Sequence, residues 1–528
     1  MNLLPLDCNA EILDYLRDDE KSLYSIIRVN RAWCQLAVPL LWNRPFKVRR
    51  KASIIKTLIS CLSEEDRVSI LGEGIDNCFE LKRASPLFDY PYYIRALDYR
   101  NLESSIENWI SHKSSPPNDI GLSMFNLLGN LIFSRSRGLL NLNIRHYDYY
   151  YCKFGEHYTS VKDILTFNHL ERSLEQLENL EIGFYSEPRE NCDVVCESMS
   201  GFFSALSKYS KCIQKVTIEI LLDSTEIDKV NKVANSFSDF IRSQTKLSTL
   251  EVNQSLGGTF TNSLSESLNF LKFNDLKNVH SLLPALSACE RLETLEISGY
   301  FAVEMIEDLH GSVNDLPPIH ITNLHVYQLE EYEFEKHLEM FIIILLNLSK
   351  NSLRSLTLDY VNVPVIEAIT GACSTLKHIA LNMILMDASV FISYLSNFTC
   401  LESLIFIQDL DEEQEDDSMF SILPDLASRL PSTLKYLGLW AIMDTETLNK
   451  TLRKLKVPIE ELDVFKRFDD SDMEVVIKYA EKNPKLRRLG YKKVSPTESK
   501  LSKDLLDRAS SIIKSIGDTR PIKNAVCL

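Results

Sequence analysis

The sequence is poor in glycine and has no excess of basic residues. Only 16 of its 528 residues are glycine, against an average usage of about 7%. The chain therefore has little material for the glycine-rich loops that cradle phosphate groups. Its 58 Lys and Arg against 74 Asp and Glu give a net charge of -16. A surface that binds nucleic acid needs the opposite balance, so we expect no nucleic-acid partner.

Long apolar runs and closely paired cysteines are also absent. The longest apolar run, Met340 to Leu346, is far shorter than the roughly 20 residues that a membrane span needs. The first residues lack a basic segment followed by an apolar one, so we expect no membrane association and a cytoplasmic or nuclear location. The twelve cysteines include no C-x-x-C pair, which favours reduced, mostly buried thiols over a disulfide framework.

Motifs of common enzyme classes are missing as well. The sequence contains no Walker phosphate loop, dinucleotide fingerprint, nucleophile elbow or zincin helix. Its ten histidines are dispersed, and the close pair His320 and His325 has no companion cysteines. We therefore predict no catalytic residues, no metal site and no cofactor.

One short phrase is repeated along most of the chain. It reads Leu-x-x-Leu-x-Leu with aliphatic replacements, and segments between copies, such as 387–398 and 473–482, carry apolar residues three and four apart, as on one face of a helix. Each unit is therefore predicted to be a strand, a turn and a returning helix, and stacked units share a core that none could form alone. The fourteen copies begin at residues 94, 139, 177, 213, 247, 268, 292, 321, 353, 376, 401, 434, 459 and 486.

The phrase and its period resemble those of leucine-rich repeat proteins. The resemblance implies an α/β fold: a leucine-rich-repeat solenoid with a curved parallel β-sheet and outer helices over residues 91–495. The sequence departs from the family where Asn or Cys often follows the third leucine, since it has residues such as Ile384, Asp409 and Ile442 there. The hydrogen bonds that asparagine would give to the turn backbone must then come from other groups.

The first 46 residues follow a different pattern. They contain, in order, Leu4-Pro5-x-Asp7, Ile12-Leu13, Leu16, Leu23, Val29-x-Arg31-x-Trp33 and Leu41-Trp42. This ordered combination resembles the F-box, a small all-α module of three helices, although Cys8 and Asn9 stand where many F-boxes have aliphatic residues. We predict an F-box at 1–46, a helical linker at 47–90, the solenoid at 91–495, and a C-terminal helix and tail at 496–528.

The resemblance implies a substrate-recognition subunit of an SCF-type ubiquitin ligase. The F-box would dock on a Skp-family adaptor and through it on cullin and RING subunits, while the repeats hold a protein substrate for ubiquitination and proteasomal degradation. Such a receptor is not an enzyme, because it only holds a target near a ubiquitin thioester carried by another protein. The adaptor-binding residues that it implies, some of which must be internal core, are Leu4, Pro5, Ile12, Leu16, Leu23, Val29, Trp33 and Trp42.

The alternative function is a leucine-rich repeat scaffold, or a small-GTPase regulator, with no ubiquitin role. In that case the N-terminal helices would only cap the solenoid, and the first 46 residues would be dispensable for binding.

A substrate surface is predicted on the sheet face opposite the core. Side chains between the phrase leucines point to that face, and Ile407, Trp440 and Phe465 hold the same position in three successive repeats. An apolar row with aromatic residues is typical of a protein-binding hot spot. The alternative is that the C-terminal helix or a loop covers these residues. The predicted substrate-binding set is Ile405, Ile407, Tyr436, Trp440 and Phe465.

An acidic run, residues 409–417, directly follows one of the predicted strands. It has seven acidic residues in nine. We predict a solvated loop, and the functional alternative is that the run attracts a basic segment of the substrate.

Overall fold

A computed structural model of the protein forms two compact units, Met1–Leu268 and Asn269–Leu528. Several predicted features lie outside the described residues: Leu4, Pro5, Ile384, Ile442 and the acidic run 409–417. The structure describes residues 6–47, 52–71, 86–111, 120–145, 164–165, 167–186, 192–222, 227–253, 264, 266–276, 282–301, 316–328, 336–372, 375–383, 385–407, 422–441, 443–492 and 501–520.

The N-terminal unit begins with helices and continues as alternating strands and helices. Its five described strands, all parallel and paired in sequence order, are β1 (Ala96–Asp98), β2 (Asn141–Arg145), β3 (Asn179–Ser186), β4 (Lys215–Leu222) and β5 (Thr249–Asn253). The helices are α1 (Leu6–Asp14), α2 (Glu20–Ile26), α3 (Arg31–Leu41), α4 (Ala52–Ser60), α5 (Glu64–Leu71), α6 (Tyr99–Ser111), α7 (Ile120–Arg135), α8 (Leu170–Leu174), α9 (Cys192–Tyr209) and α10 (Ile227–Arg242), with a 3-10 turn at Tyr90–Tyr93.

The C-terminal unit repeats the same alternation with ten described strands, again parallel and in sequence order. They are β6 (Phe270–Leu276), β7 (Thr294–Phe301), β8 (Asn323–Gln328), β9 (Ser355–Val361), β10 (His378–Met383), β11 (Ser403–Ile407), β12 (Tyr436–Trp440), β13 (Glu461–Val464), β14 (Arg488–Tyr491) and β15 (Ser515–Asp518). The helices are α11 (Leu282–Ala288), α12 (Lys336–Ser349), α13 (Val363–Ala372), α14 (Leu385–Tyr394), α15 (Ile422–Arg429), α16 (Thr445–Lys454), α17 (Asp470–Lys482) and α18 (Lys503–Ile512), with a 3-10 turn at Leu395–Asn397. No helix within the described ranges is long and apolar enough to cross a bilayer.

The strands follow the repeated phrase in every copy. Each of the fourteen phrases becomes a strand whose first residue lies two positions after the phrase begins. Equivalent residues pair across neighbouring strands, so that Leu295 faces Leu324 and Leu324 faces Leu356. These three leucines are 0% exposed, because the inward positions of successive repeats fill one shared core. The predicted α/β leucine-rich-repeat solenoid is confirmed.

Buried polar side chains link the ends of successive helices in the N-terminal unit. Ser173 Oγ donates to the Phe133 carbonyl at 2.6 Å, and Ser210 Oγ donates to the Leu174 carbonyl at 2.6 Å. In the next repeat the Gln244 amide donates to the Ser210 carbonyl at 2.8 Å. All three side chains are buried. They therefore supply hydrogen bonds to main-chain carbonyls at or just after the ends of the helices.

The residues that follow α3 are tied to the first strand of the sheet. The Asn43 carbonyl accepts from the N–H groups of Arg95 at 2.9 Å and Ala96 at 3.0 Å. The Asn101 amide donates to the Phe46 carbonyl at 2.8 Å, and the Phe46 side chain is buried. The three N-terminal helices thus continue directly into the base of the N-terminal unit.

Glu103 on α6 makes the stability of this unit depend on pH. Burial, and secondly the charge of Glu107, raise the pKa of Glu103 from 4.5 to about 7. The folded chain therefore holds this proton more tightly than the unfolded chain does. Stability is lost as the pH rises from 4.5 to about 7, and the loss is complete above that range.

We expect Glu103→Gln to remove this cost. At pH 8 the variant should be more stable by on the order of 1 to 3 kcal/mol, since one pKa unit corresponds to about 1.4 kcal/mol. The gain should shrink toward pH 5, where the wild-type carboxyl is largely protonated in the folded chain. Urea unfolding at both pH values checks this, with the exposed Glu65→Gln as control. A gain of equal size at both pH values would contradict the assignment.

Candidate protein-binding surfaces

Helices α1 to α3 form a small module with a minimal core. Leu13, Leu23 and Ala37 are each 0% exposed, and the partly buried side chains packed on them include Leu16 and Trp33. Leu23, which the F-box resemblance places among the adaptor-binding residues, is therefore internal core. Leu16 and Trp33 support that core and keep only part of their surface free.

Polar side chains fix where the second and third helices of this module begin. Asp19 accepts from the Ser22 N–H at 3.1 Å and from the Ser22 hydroxyl at 2.6 Å. The side-chain hydrogen bond from Ser22 is the main reason that the pKa of Asp19 lies below its usual range. Asn30 accepts from the Trp33 N–H at 3.0 Å. These caps set the start of each short helix and so the direction of its side chains.

Four large apolar or aromatic side chains of the module face solvent. Ile12 is 45% exposed, Tyr15 91%, Tyr24 51% and Val29 64%. Ile12 and Val29 belong to the predicted adaptor-binding set, whereas Tyr15 and Tyr24 were not predicted. The position of Tyr15, three residues after Ile12 and directly after the last residue of α1, was the available signal. A module this small with so much apolar surface outside its core is suited to cover that surface with a partner.

Trp42, also in the predicted adaptor-binding set, packs within the chain. Its ring packs on Tyr90, with ring centroids 4.5 Å apart. This contact joins the end of α3 to the Tyr90–Tyr93 turn, so Trp42 is engaged within the chain.

The second surface is the open face of the C-terminal unit, defined here by the strand side chains that alternate with the buried leucines. On β10 to β12 this face is apolar: Ala380, Ile405 and Tyr436 form a buried cluster, against which Ile407 and Trp440 pack. The register places Ile405 opposite Ala380 and Ile407 opposite Trp440. Successive repeats therefore bring their apolar side chains into one continuous patch.

The patch continues into an aromatic and basic row. The Trp440 and Phe465 rings stack with centroids 4.6 Å apart and planes 6° apart. The Lys492 ammonium lies 4.6 Å from the centre of the Phe465 ring, within the range of a cation–π interaction. The row thus runs from an aliphatic side chain, Ile407, through two aromatic rings to an exposed cation.

A buried ionic network lies beside this row, centred on Asp463 of β13. The Asp463 carboxylate is paired with the Arg488 guanidinium and accepts from the Tyr436 hydroxyl at 3.0 Å. It also accepts from the N–H of Arg520 at 3.0 Å, and Arg488 donates to the Asp518 carbonyl at 2.9 Å. Burial, followed by the charge of Asp463, raises the pKa of Tyr436 well above its usual range. The tyrosine therefore stays protonated and donates.

The five predicted substrate-binding residues divide into two groups. Ile407, Trp440 and Phe465 keep part of their surface free. Ile405 is 0% exposed and Tyr436 is 4% exposed, so both lie beneath the surface. The C-terminal residues Asp518 and Arg520 contact the Asp463 network that includes Tyr436.

Gly490 and Gly517 form a matched pair for testing this network. They face each other in β14 and β15. A Cβ at Gly490 would overlap the Asp463 carboxylate, whereas no atom lies within 4 Å of a Cβ at Gly517. We expect Gly490→Ala to lower the free energy of unfolding by about 1–3 kcal/mol. Gly517→Ala should leave it unchanged or raise it by up to about 1 kcal/mol. Thermal unfolding of both variants checks this, and equal losses would contradict it.

The histidines do not assemble into a metal site in the described ranges. Where the structure describes the chain, no group of three or more His, Cys, Asp or Glu side chains is placed to hold a metal ion. His325 lies with its Nδ1 atom 3.0 Å from the Thr357 hydroxyl and stacks on the Tyr327 ring.

Comparison with known proteins gives matches to solved structures only. No protein-family model matches the sequence, and no curated protein matches it significantly. The leucine-rich repeat-containing protein LegL7 from Legionella pneumophila is 10% identical over 63% of this chain and 98% of that chain, with a TM-score of 0.36. A protein from Bacteroides fragilis is 11% identical over 68% of each chain, with a TM-score of 0.21.

Proposed function

We propose that this protein is the substrate-recognition subunit of an SCF-type ubiquitin ligase. Its N-terminal helices bind a Skp-family adaptor, and through it cullin and RING subunits. The open face of the C-terminal unit binds a protein substrate for ubiquitination and proteasomal degradation. The protein itself needs no catalytic residue, cofactor or metal, since holding a target lysine near the ubiquitin thioester is catalysis by proximity. We place this activity in the cytoplasm or nucleus.

The observation that carries the proposal is the apolar surface of the three-helix module. Ile12, Tyr24 and Val29 are each about half exposed or more, in a module whose fully buried core includes Leu13 and Leu23. Leaving such side chains in water gives up burial worth roughly 1.5–3 kcal/mol for each large aliphatic residue. A partner that covers them regains that free energy. This supports adaptor docking, together with the F-box-like order of residues in the sequence.

Another observation favours the alternative function, a protein-binding scaffold or small-GTPase regulator without a ubiquitin role. The Asn43 carbonyl accepts from the N–H groups of Arg95 and Ala96, and the Trp42 ring packs at a tilt against Tyr90, as expected of a cap on the first repeat. A cap explains these contacts but gives no reason for Ile12 and Val29 to face solvent. The two functions therefore make different predictions for adaptor binding.

The test is binding of a purified Skp-family adaptor to the full chain by titration calorimetry. A second chain should lack residues 1–41 rather than 1–46, because Asn43 and Phe46 bind the first repeat. Saturable binding by the full chain that is lost in the shortened chain would support the proposal. Absence of binding by the intact chain would overturn it in favour of the scaffold.

A further inference from the structure

The open face of the C-terminal unit changes character between its first and last strands. On β6 to β9, polar side chains bind one another across the strands. The Lys272 ammonium lies 2.7 Å from the Glu296 carboxylate, and His325 Nδ1 lies 3.0 Å from the Thr357 hydroxyl. These groups have their partners within the face, so they need no ligand to satisfy them.

The later strands, β11 to β14, carry an apolar row that ends in a cation. Ile407, Trp440, Phe465 and Lys492 hold the equivalent position in four successive repeats, and we call these four residues the mixed row. Its three apolar side chains are partly exposed and its lysine is exposed. An accessible apolar surface with aromatic rings at its centre is typical of a site that binds another protein.

Two cations at the end of the mixed row have no carboxylate partner among the described residues. They are Lys492 and Arg467, which follows Phe465 by two positions, and both are exposed. Carboxylates on the neighbouring strand, turn and helix starts are already bound in ion pairs or helix caps: Asp444, Asp463, Asp469 and Asp472. This end of the row therefore has a surplus of positive charge, although the whole chain carries a net charge of -16.

The position of the Lys492 ammonium suits it to bind an anion. It lies 4.6 Å from the centre of the Phe465 ring, and this contact restrains the long side chain. A restrained side chain loses less conformational entropy when it forms an ion pair with a ligand. Negative charges elsewhere on the chain act weakly at this point, because salt screens charges that are farther apart than about 8 Å. An acidic group that touches the row is thus attracted.

The distances along the row set the spacing of a matching ligand. The Trp440 ring centre, the Phe465 ring centre and the Lys492 ammonium follow one another in steps of 4.6 Å. Ile407 pairs with Trp440 on the neighbouring strand, which adds a step of about 4.8 Å. Four residues of an extended chain span about 14 Å, the length of these three steps, and residues four apart point to the same side.

We propose that the mixed row binds an extended segment of the partner protein that has a large apolar residue and, about four positions away, an aspartate or glutamate. The apolar side chain packs on Ile407 and Trp440. The acidic side chain pairs with Lys492, and Arg467 adds to the attraction. This names the substrate class of the proposed receptor, and it rests on the proposed protein-binding role of the open face.

The test begins with the purified full chain and a phage library of random twelve-residue peptides. We expect the enriched peptides to share a large apolar residue with Asp or Glu about four positions away. Enriched peptides are then synthesised with amidated C-termini, so that only side-chain carboxylates can pair with the row. Fluorescence polarisation measures their affinity for the wild type and for the variants.

Lys492→Glu should weaken binding of an enriched peptide at least about tenfold, because an attractive charge pair becomes a repulsive one. The loss should shrink in about 0.5 M NaCl, where screening is stronger. The matched control is Lys350→Glu, the same charge change at an exposed lysine that directly follows α12 rather than lying on the open face. It should leave peptide affinity unchanged. Since both lysines are exposed, both variants should melt within about 2 °C of the wild type.

An exchange of charges tests whether the acidic residue of the peptide meets Lys492. An enriched peptide whose acidic residue is replaced by lysine should bind the wild type at least about tenfold more weakly, and should regain most of that affinity on Lys492→Glu. Replacing the apolar residue of the peptide by alanine should weaken binding to both chains alike, by about tenfold, because the apolar contact is lost in each case.

Several results would overturn the proposal: no enriched peptides, enriched peptides without an acidic residue, or equal affinity for the wild type and Lys492→Glu. Loss of binding on amidation would identify a terminal carboxylate as the ligand and would overturn it too. Adaptor binding measured on the same variants separates the two proposals. Failed peptide binding with intact adaptor binding overturns only this inference, and the reverse result overturns only the ligase assignment.

Discussion

The full chain carrying Ile12→Asp and Val29→Asp is expected to bind a Skp-family adaptor at least about 100-fold more weakly than the wild type. Both side chains are about half exposed or more, Ile12 at 45% and Val29 at 64%. Burial of each on a partner is worth roughly 1.5–3 kcal/mol, and a factor of 100 corresponds to about 2.7 kcal/mol. A buried carboxylate at either site adds a desolvation cost. Titration calorimetry measures the change.

The controls separate a lost interface from a lost fold. Because both replaced residues are exposed, the melting temperature should stay within about 2 °C of the wild type. Val68 and Leu87 are also exposed, at 48% and 79%, outside the three-helix module. The matched variant Val68→Asp with Leu87→Asp should bind the adaptor normally. Wild-type affinity in the Ile12 and Val29 variant would contradict docking through this surface and favour the capping role.

The strands of this fold could be predicted from the sequence, because the leucine spacing acts locally. The last two aliphatic residues of each phrase are two positions apart, so both side chains point to the same face of a strand. Each of the fourteen phrases forms such a strand. The fifteenth strand, Ser515–Asp518, was not predicted within the C-terminal helix and tail. Its phrase begins as Ile513-x-x-Ile516 but has Asp518 where a third aliphatic residue would stand. The strand forms because its main chain completes the edge of the sheet beside β14.

Exposure on the open face could not be predicted in the same way. Alternation places Ile405 and Tyr436 on that face, but whether they reach solvent depends on neighbours from other repeats. They form one buried cluster with Ala380, whose three members come from three different repeats at positions 380, 405 and 436. In the same way, the exposure of Tyr15 and Tyr24 depends on how α1 and α2 pack on α3.

The Asp463 network is the part of the site that sequence patterns were least able to reveal. Asp463 occupies an ordinary open-face position in its phrase, and its partners lie 25 and 57 residues away at Arg488 and Arg520. Gly490 opposite Asp463 in β14 leaves the space that the carboxylate fills. Long-range pairs of this kind depend on the register of the strands and on the pairing of β15 with β14. Local sequence patterns specify neither.

Asp463→Ala is expected to lower the free energy of unfolding of the C-terminal unit by about 3–5 kcal/mol. Removing one partner of a buried ion pair leaves the other charge uncompensated. Here the loss would leave the Tyr436 hydroxyl and the Arg520 N–H without this acceptor, and the Arg488 guanidinium without its paired carboxylate. Urea unfolding monitored by tryptophan fluorescence measures it, since Trp440 lies in the same face.

An exposed ion pair of the same unit gives the control for this prediction. Glu402 is paired with Lys435 at 2.6 Å and Lys377 at 3.3 Å, with all three side chains at least partly in solvent. Glu402→Ala should cost less than about 1 kcal/mol, because surface pairs are screened. The Asp463→Ala and Arg488→Ala changes should also be non-additive, the double variant losing less than the two single losses together. Additive losses, or a cost for Asp463→Ala no larger than that for Glu402→Ala, would show that the carboxylate does not hold the C-terminal strand to the open face.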